Sequence, residues 1–335
     1  MALPRRRLGR SGLEVTRLGI GLAAVGRPGY INLGRAHDLP GERSFESMYE
    51  RSATVLDAAH GAGIGYIDAA RSYGRAEEFL ARWLDARRIA PGALIVGSKW
   101  GYHYTADWRI DAEVHEQKEL SQARFDQQIV ESRALLGDHL ALYQIHSATA
   151  ESGCLTDAAL LAALVAGRRN GLYRALGLTL SGASANQALE QALAARVDGE
   201  PVFDTVQATF NCLEPSLAPL LAEAHASGLG VIVKEVHANG RLTPANTRPE
   251  DTGMRRRLSE IAGESNTDLA GLAIAFALAH PFVDVVLSGA ATTEHLASHL
   301  AAMHLTLDGD ARQAITNAAE SPGEYWATRG SLPWS

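Results

Sequence analysis

The chain has little cysteine, little lysine and no long uninterrupted apolar run. Its two cysteines, Cys154 and Cys212, lie far apart with no metal-ligand spacing, and no HExxH-type motif accompanies them. This argues against a disulfide scaffold, and no metal is expected. No stretch approaches the roughly 18 uncharged apolar residues of a membrane-spanning helix. The opening MALPRRRLGRSG has no apolar segment of the signal-peptide kind. A reduced, cytoplasmic protein that does not engage the membrane is the expectation. Net charge is −7 and no basic stripe stands out, the Arg5–Arg7 run being brief, which argues against a nucleic-acid partner. Linkers, low-complexity runs and clear repeats are missing too. The 335 residues, 46% hydrophobic, therefore read as one domain over 1–335.

Short β-branched or aromatic runs alternate with amphipathic stretches: RLGIG, GIGYID, ALIVGS, LALYQIH, YRALGL, FDTVQAT, GVIVK and VDVVLS read as strands, with helical segments between them. Repeated strand–helix alternation implies parallel strands, and eight of them favour closure into a (β/α)8 TIM barrel of the α/β class. A hairpin over 1–16 precedes the barrel, and a helix with an aromatic-rich loop over 304–335 follows it. Leu22 to Phe45, Trp100 to Leu120 and Glu235 to Met254 exceed normal loop length. All follow strands, so all are expected over the C-terminal rim of the barrel.

Four polar residues mark strand ends: Asp68 and Tyr73 in GIGYIDAARSYG, Lys99 in LIVGSKWG and His146 in LALYQIHS. Each alone has a structural explanation: a helix cap, a half-buried loop aromatic, a snorkelling lysine, a satisfied core histidine. Four such coincidences at successive strand ends favour one proton-handling cluster. Lysine usage agrees. The chain holds only Lys99, Lys118 and Lys234, and two of these end strands, where a compact ammonium of adjustable pKa fits.

At these residues the chain resembles the aldo-keto reductase superfamily. The matching pieces are IDAARSYG, VGSKWG, YQIHS, LGLTLS, VQATFN and LSGAATTEHLASHLAA, in family order from about Leu18 to His304. The resemblance implies a barrel that binds a nicotinamide cofactor without a Rossmann domain, and a catalytic set of Asp68, Tyr73, Lys99 and His146. Tyr73 would be the general acid in reduction and the general base in oxidation. Lys99 would lower its pKa, Asp68 would hold Lys99, and His146 would bond the substrate oxygen.

The resemblance also assigns cofactor contacts to Gly21, Leu22, Asp68, Thr179, Gln207, Lys234, Glu235, Gly240, Arg241, Ser288, Gly289, Ala290, His295 and His299. Leu180 stands where the family usually has an Asn. Lys234 stands where a Tyr often stacks on the nicotinamide; its charge would tilt the site towards the reduced cofactor unless Glu235 or a phosphate neutralises it. NADP(H) is the expected carrier, with NAD(H) open, because the LSGAATTEHL segment offers His295 and His299 but no Lys or Arg; Arg241 could reach in from the preceding loop. Trp100, Tyr102 and Trp326, with Tyr104, Trp108, Tyr325 and Trp334, are candidates for the wall of an apolar substrate pocket, although the tail aromatics could equally pin the C-terminus. The substrate would be a small aldehyde, ketone or sugar-like alcohol. A homo-oligomer is compatible with the sequence. Two other readings remain: a cofactor-binding sensor or subunit with little turnover, and a Schiff-base enzyme using Lys99 as nucleophile.

Overall fold

A computed structural model describes residues 3–335. Eight parallel strands close into a barrel: β1 (Leu18–Gly21), β2 (Tyr66–Asp68), β3 (Ile95–Trp100), β4 (Leu140–Ala148), β5 (Ala175–Leu180), β6 (Thr205–Thr209), β7 (Gly230–Lys234) and β8 (Val285–Ser288). β8 returns to pair with β1, placing Val286 opposite Leu18. The expected (β/α)8 barrel is the observed one.

Helices wrap the outside because each carries an apolar stripe towards the strands. They are α1 (Phe45–Gly61), α2 (Ala76–Ala86), α3 (Gln122–Leu136), α4 (Ala158–Arg169), α5 (Ala185–Ala194), α6 (Ala218–Ala226), α7 (Thr252–Glu264), α8 (Leu269–Leu278) and α9 (Thr293–Ala302). α2 buries Phe79, Leu80, Trp83 and Leu84 while Asp85 stays exposed, the 3.6-residue pattern of a half-buried helix. Its neighbours α1 and α3 are capped by Ser44 and Ser121, whose side chains accept backbone N–H groups of the first turn. α8 is apolar almost all round and is buried accordingly. Two further helices, α10 (Gly309–Asn317) and α11 (Pro322–Ser331), follow the barrel.

The N-terminal strands Arg5–Arg7 and Glu14–Thr16 pair antiparallel. Leu8, Leu13 and Val15 of this hairpin form one buried cluster with Tyr66, Ile95, Leu142, Ile232 and Val285 from the barrel strands. The hairpin thus plugs the end opposite the strand C-termini. Strand alternation sends Tyr66 into the lumen, and glycines make room for it: a Cβ on Gly97 would sit 2.6 Å from the Tyr66 hydroxyl. The three long segments do follow β1, β3 and β7. The middle one folds into a second hairpin, Tyr102–Tyr104 with Glu116–Lys118.

Candidate active site

Asp68 ends β2, Lys99 lies one residue before the end of β3, and His146 lies on β4. All three are buried. Tyr73 follows in the turn after β2, its N–H donating to the Ala70 carbonyl. That turn is fixed by close backbone approach. Gly74 has φ +60°, and a Cβ there would meet Gly26 O at 2.6 Å and Arg27 Cβ at 2.7 Å. A Gly74→Ala variant is expected to combine left-handed strain with this clash and to shift Tyr73. Thermal melting should fall, and kcat should fall more than KM rises; an unchanged Tm and kcat would show that the turn tolerates the methyl group.

Asp68 is saturated with donors. Lys99 Nζ bonds its Oδ2, while Tyr66 OH (2.9 Å), Gln207 Nε2 (3.0 Å) and Gln144 Nε2 (3.2 Å) donate to Oδ1. Lys99 places its remaining protons on the Ala69 carbonyl at 2.9 Å and the Tyr73 oxygen at 3.3 Å. The phenol oxygen is therefore an acceptor from Lys99, which leaves its own proton free to point elsewhere. Burial and the Asp68 charge push the Tyr73 phenol well above its usual value, against an opposing effect of Arg27. Lys99 was expected to draw the phenol down; in the folded protein desolvation prevails and the group stays protonated.

Burial lowers Lys99, with Asp68 opposing. Burial, then the charges of Lys99 and Lys234, hold His146 well below its usual range, so its ring is neutral. The His146 Nδ1 lies 3.4 Å from Ser72 Oγ. With the serine as donor, the imidazole carries its proton on Nε2.

Asp68, Tyr73 and His146 wall a cavity of about 220 Å³, together with Gly21, Gln207, Lys234, Glu235, Ser288 and Gly289 among the residues expected for cofactor. Tyr102 lines it as well, its ring 4.9 Å from that of His146. A second groove of about 590 Å³ adjoins it, sharing Asn32, His237 and Gly289 and running past His295 and His299.

Other expected contacts lie elsewhere. Leu22 is fully buried in the core, and Leu180 is likewise buried. Thr179 is buried below the rim, its Oγ1 accepting the Ser147 N–H at 2.7 Å. Ala290 is buried, its N–H on Ser288 Oγ. Gly240 packs against Leu33. Arg241 is not available to a phosphate, because Asp251 and Glu320 grip its guanidinium from two sides.

Two aromatic expectations are corrected. Trp100 neighbours inward-facing Lys99 on β3, so alternation turns it outward, where it packs edge-on against Phe125 of α3. Trp326 does not line the cavity; Arg329, one turn further along α11, does. Of the remaining aromatics, Tyr325 anchors the tail through the Asn211 amide, which donates to its hydroxyl at 3.0 Å. Trp108 lies against Phe45 and Phe79.

Sequence reasoning missed several cavity residues. Arg27, 3% exposed, pairs with Glu116 at 2.9 Å and stacks over the rings of Tyr73, Tyr30 and Trp334. Trp334 in turn lies flat on His115, with ring centroids 3.9 Å apart. Tyr30 and Ser335 exchange backbone hydrogen bonds, so the tail roofs the cavity. Glu235, one of the two groups that could neutralise Lys234, has its carboxylate held by Arg329 at 2.7 Å and by Thr209 at 3.0 Å.

Eight parallel strands with polar side chains gathered at their C-terminal ends define a barrel enzyme of the TIM class. Residues 18–320 match the family model for the aldo/keto reductase family, and the chain belongs to that family. Among solved structures it is similar to an aldo-keto reductase from Bacillus halodurans in its holo form, at 20% identity and TM-score 0.73, covering 95% of this chain and 97% of that one. A Pseudomonas aeruginosa protein, PA4992, ascribed to the same family, is similar at 23% identity and TM-score 0.61, with 93% and 96% covered. Curated protein sequences give no match. Family membership implies an oxidoreductase that uses a nicotinamide cofactor on small carbonyl compounds. Among the described residues no helix is long and apolar enough to cross a membrane, and no cluster of three or more His, Cys, Asp or Glu could hold a metal ion.

Proposed function

We propose that the protein interconverts a small aldehyde, ketone or sugar with its alcohol by hydride transfer, with Tyr73 as general acid in reduction and general base in oxidation. The observation that carries this reading is the disposition of protons around Lys99, whose third donor meets the phenol oxygen at 3.3 Å on the cavity wall.

The space fits a dinucleotide. The two joined cavities together fall in the range of about 300–1,000 Å³ usual for ligand sites. The first two turns of α9 supply Glu294, His295 and Ser298 to the groove. Gly21, Gln207, Ser288 and Gly289 would hold the nicotinamide half, and His237, His295 and His299 would flank the other. A nicotinamide bound there would supply the hydride to the carbonyl carbon in reduction, or accept it from the carbinol carbon in oxidation.

The chain's own residues handle the proton. Tyr73 presents its O–H to the carbonyl oxygen, and neutral His146 donates from Nε2 to the same atom. As the proton leaves, Lys99 stabilises the phenolate that remains, and Asp68 keeps Lys99 charged and in place. In oxidation the phenolate takes the alcohol proton. The reading is tested by following absorbance of NADPH and NADH against a panel of aldehydes, ketones and sugars. Turnover supports it. Tight cofactor binding without turnover would favour a sensing role.

The family expectation is NADP(H), yet the groove beside α9 carries Asp38, Asp268 and Glu294 and no Lys or Arg among the residues that line it. Burial holds the His237 imidazole down to about 4 and His299 well below its usual range, so both are neutral at ordinary pH. The preference for NADPH over NADH is therefore expected to be small. Dissociation constants measured by fluorescence near neutrality check this, and a strong NADPH preference would contradict it.

A further inference from the structure

The charged residues lining the cavity pair off with one exception. Asp68 bonds Lys99 beneath the cavity floor, Glu116 binds Arg27, and Glu235 binds Arg329. Lys234 is left over. It ends β7 with its Nζ donating to Ser181 Oγ at 2.9 Å, a neutral partner. The neighbouring carboxylate of Glu235 is held by Arg329 and Thr209. The cavity therefore carries one uncompensated positive charge, on a wall shared with Tyr73 and with His146, whose imidazole feels it.

We propose that Lys234 makes the cavity discriminate between the redox states of the nicotinamide, holding the neutral reduced ring in preference to the positively charged oxidised one. This rests on the hydride-transfer reading above and adds a direction to it. An enzyme so charged loads the reduced cofactor and releases the oxidised one readily, so it works as a carbonyl reductase where both forms are present. The hydride step itself bears the cost, because positive charge grows on the ring beside the ammonium. Cofactor phosphates are common to both redox forms, so the ratio of the two affinities isolates the ring's charge.

Burial pushes Lys234 down to about 8, with Glu235 opposing. The charged groups acting on it are Glu235 on its own strand end, Arg329 from α11, and Asp68 and Lys99 from β2 and β3, with His146 of β4 responding to it in turn. The ammonium therefore persists below about pH 8 and is lost above it.

The test is calorimetric titration of the full-length protein with NADPH, NADP+, NADH and NAD+, on wild type, Lys234→Met and Lys234→Arg. In wild type below pH 8 the reduced form should bind more tightly than the oxidised form. Lys234→Met should narrow that ratio by about tenfold, the scale of like charges meeting in a partly solvated site. Lys234→Arg should keep the ratio. Raising the pH should move wild type towards the methionine variant, whose own ratio corrects for the other titrating groups. A ratio the same in wild type and Lys234→Met overturns the proposal while leaving hydride transfer intact. Failure of every dinucleotide to bind overturns both.

Discussion

Replacing Tyr73 by Phe is expected to lower kcat by about 10²–10⁴-fold, the usual contribution of a positioned proton donor. Cofactor affinity should hardly change. The phenyl ring can keep its edge-on contact with His146, at a centroid distance of 5.5 Å, and its place under Arg27. What goes is the one hydroxyl that Lys99 addresses from within the cavity wall. Single-turnover absorbance with saturating reduced cofactor measures the hydride step directly. Near-wild-type turnover in the Phe variant would remove Tyr73 from the chemistry and turn attention to His146.

The second large effect concerns stability. Asp68 and Lys99 are both buried, and removing one partner strands the other. Asp68→Asn leaves an ammonium among Ala69 O and Tyr73 OH with no counter-charge, and should cost about 3–5 kcal/mol. Lys99→Met leaves a carboxylate facing only neutral donors and should cost a similar amount. The double variant should recover much of the loss, because neither charge is then stranded. Urea unfolding midpoints for the four proteins give the coupling. If the single-variant losses simply add, the pair is not the coupled unit its geometry describes.

The barrel and the inner face of the site were legible because both follow from short-range rules. Strand period, Gly-terminated helices and a polar residue at each strand end place Asp68, Lys99 and His146 without knowledge of the loops. The same period already contained the correction for Trp100, since adjacent residues on a strand face opposite ways and Lys99 faces in. Arg27, Tyr30 and Arg329 were not legible. They come from a long loop and the tail, which have no periodicity, and they reach the cavity through partners more than 80 residues away along the chain, such as Glu116 for Arg27 and Glu235 for Arg329. Arg241 shows the converse. A basic residue near a phosphate-binding segment was a reasonable candidate, and only the third dimension shows two carboxylates already holding it.

The plugged end of the barrel has a consequence for how the protein is made. Arg6 donates to the Val283 carbonyl across 277 residues, and β1 depends on β8 for one of its two neighbours. The hairpin thus waits for a partner made 277 residues later before it can settle. Until then Leu8, Leu13 and Val15 have no lumen to seal, and the edges of β1 and β8 are unpaired. Such distant closure makes folding slow and leaves sticky intermediates exposed. This chain is expected to depend on chaperones during synthesis far more than its finished, edgeless barrel would imply.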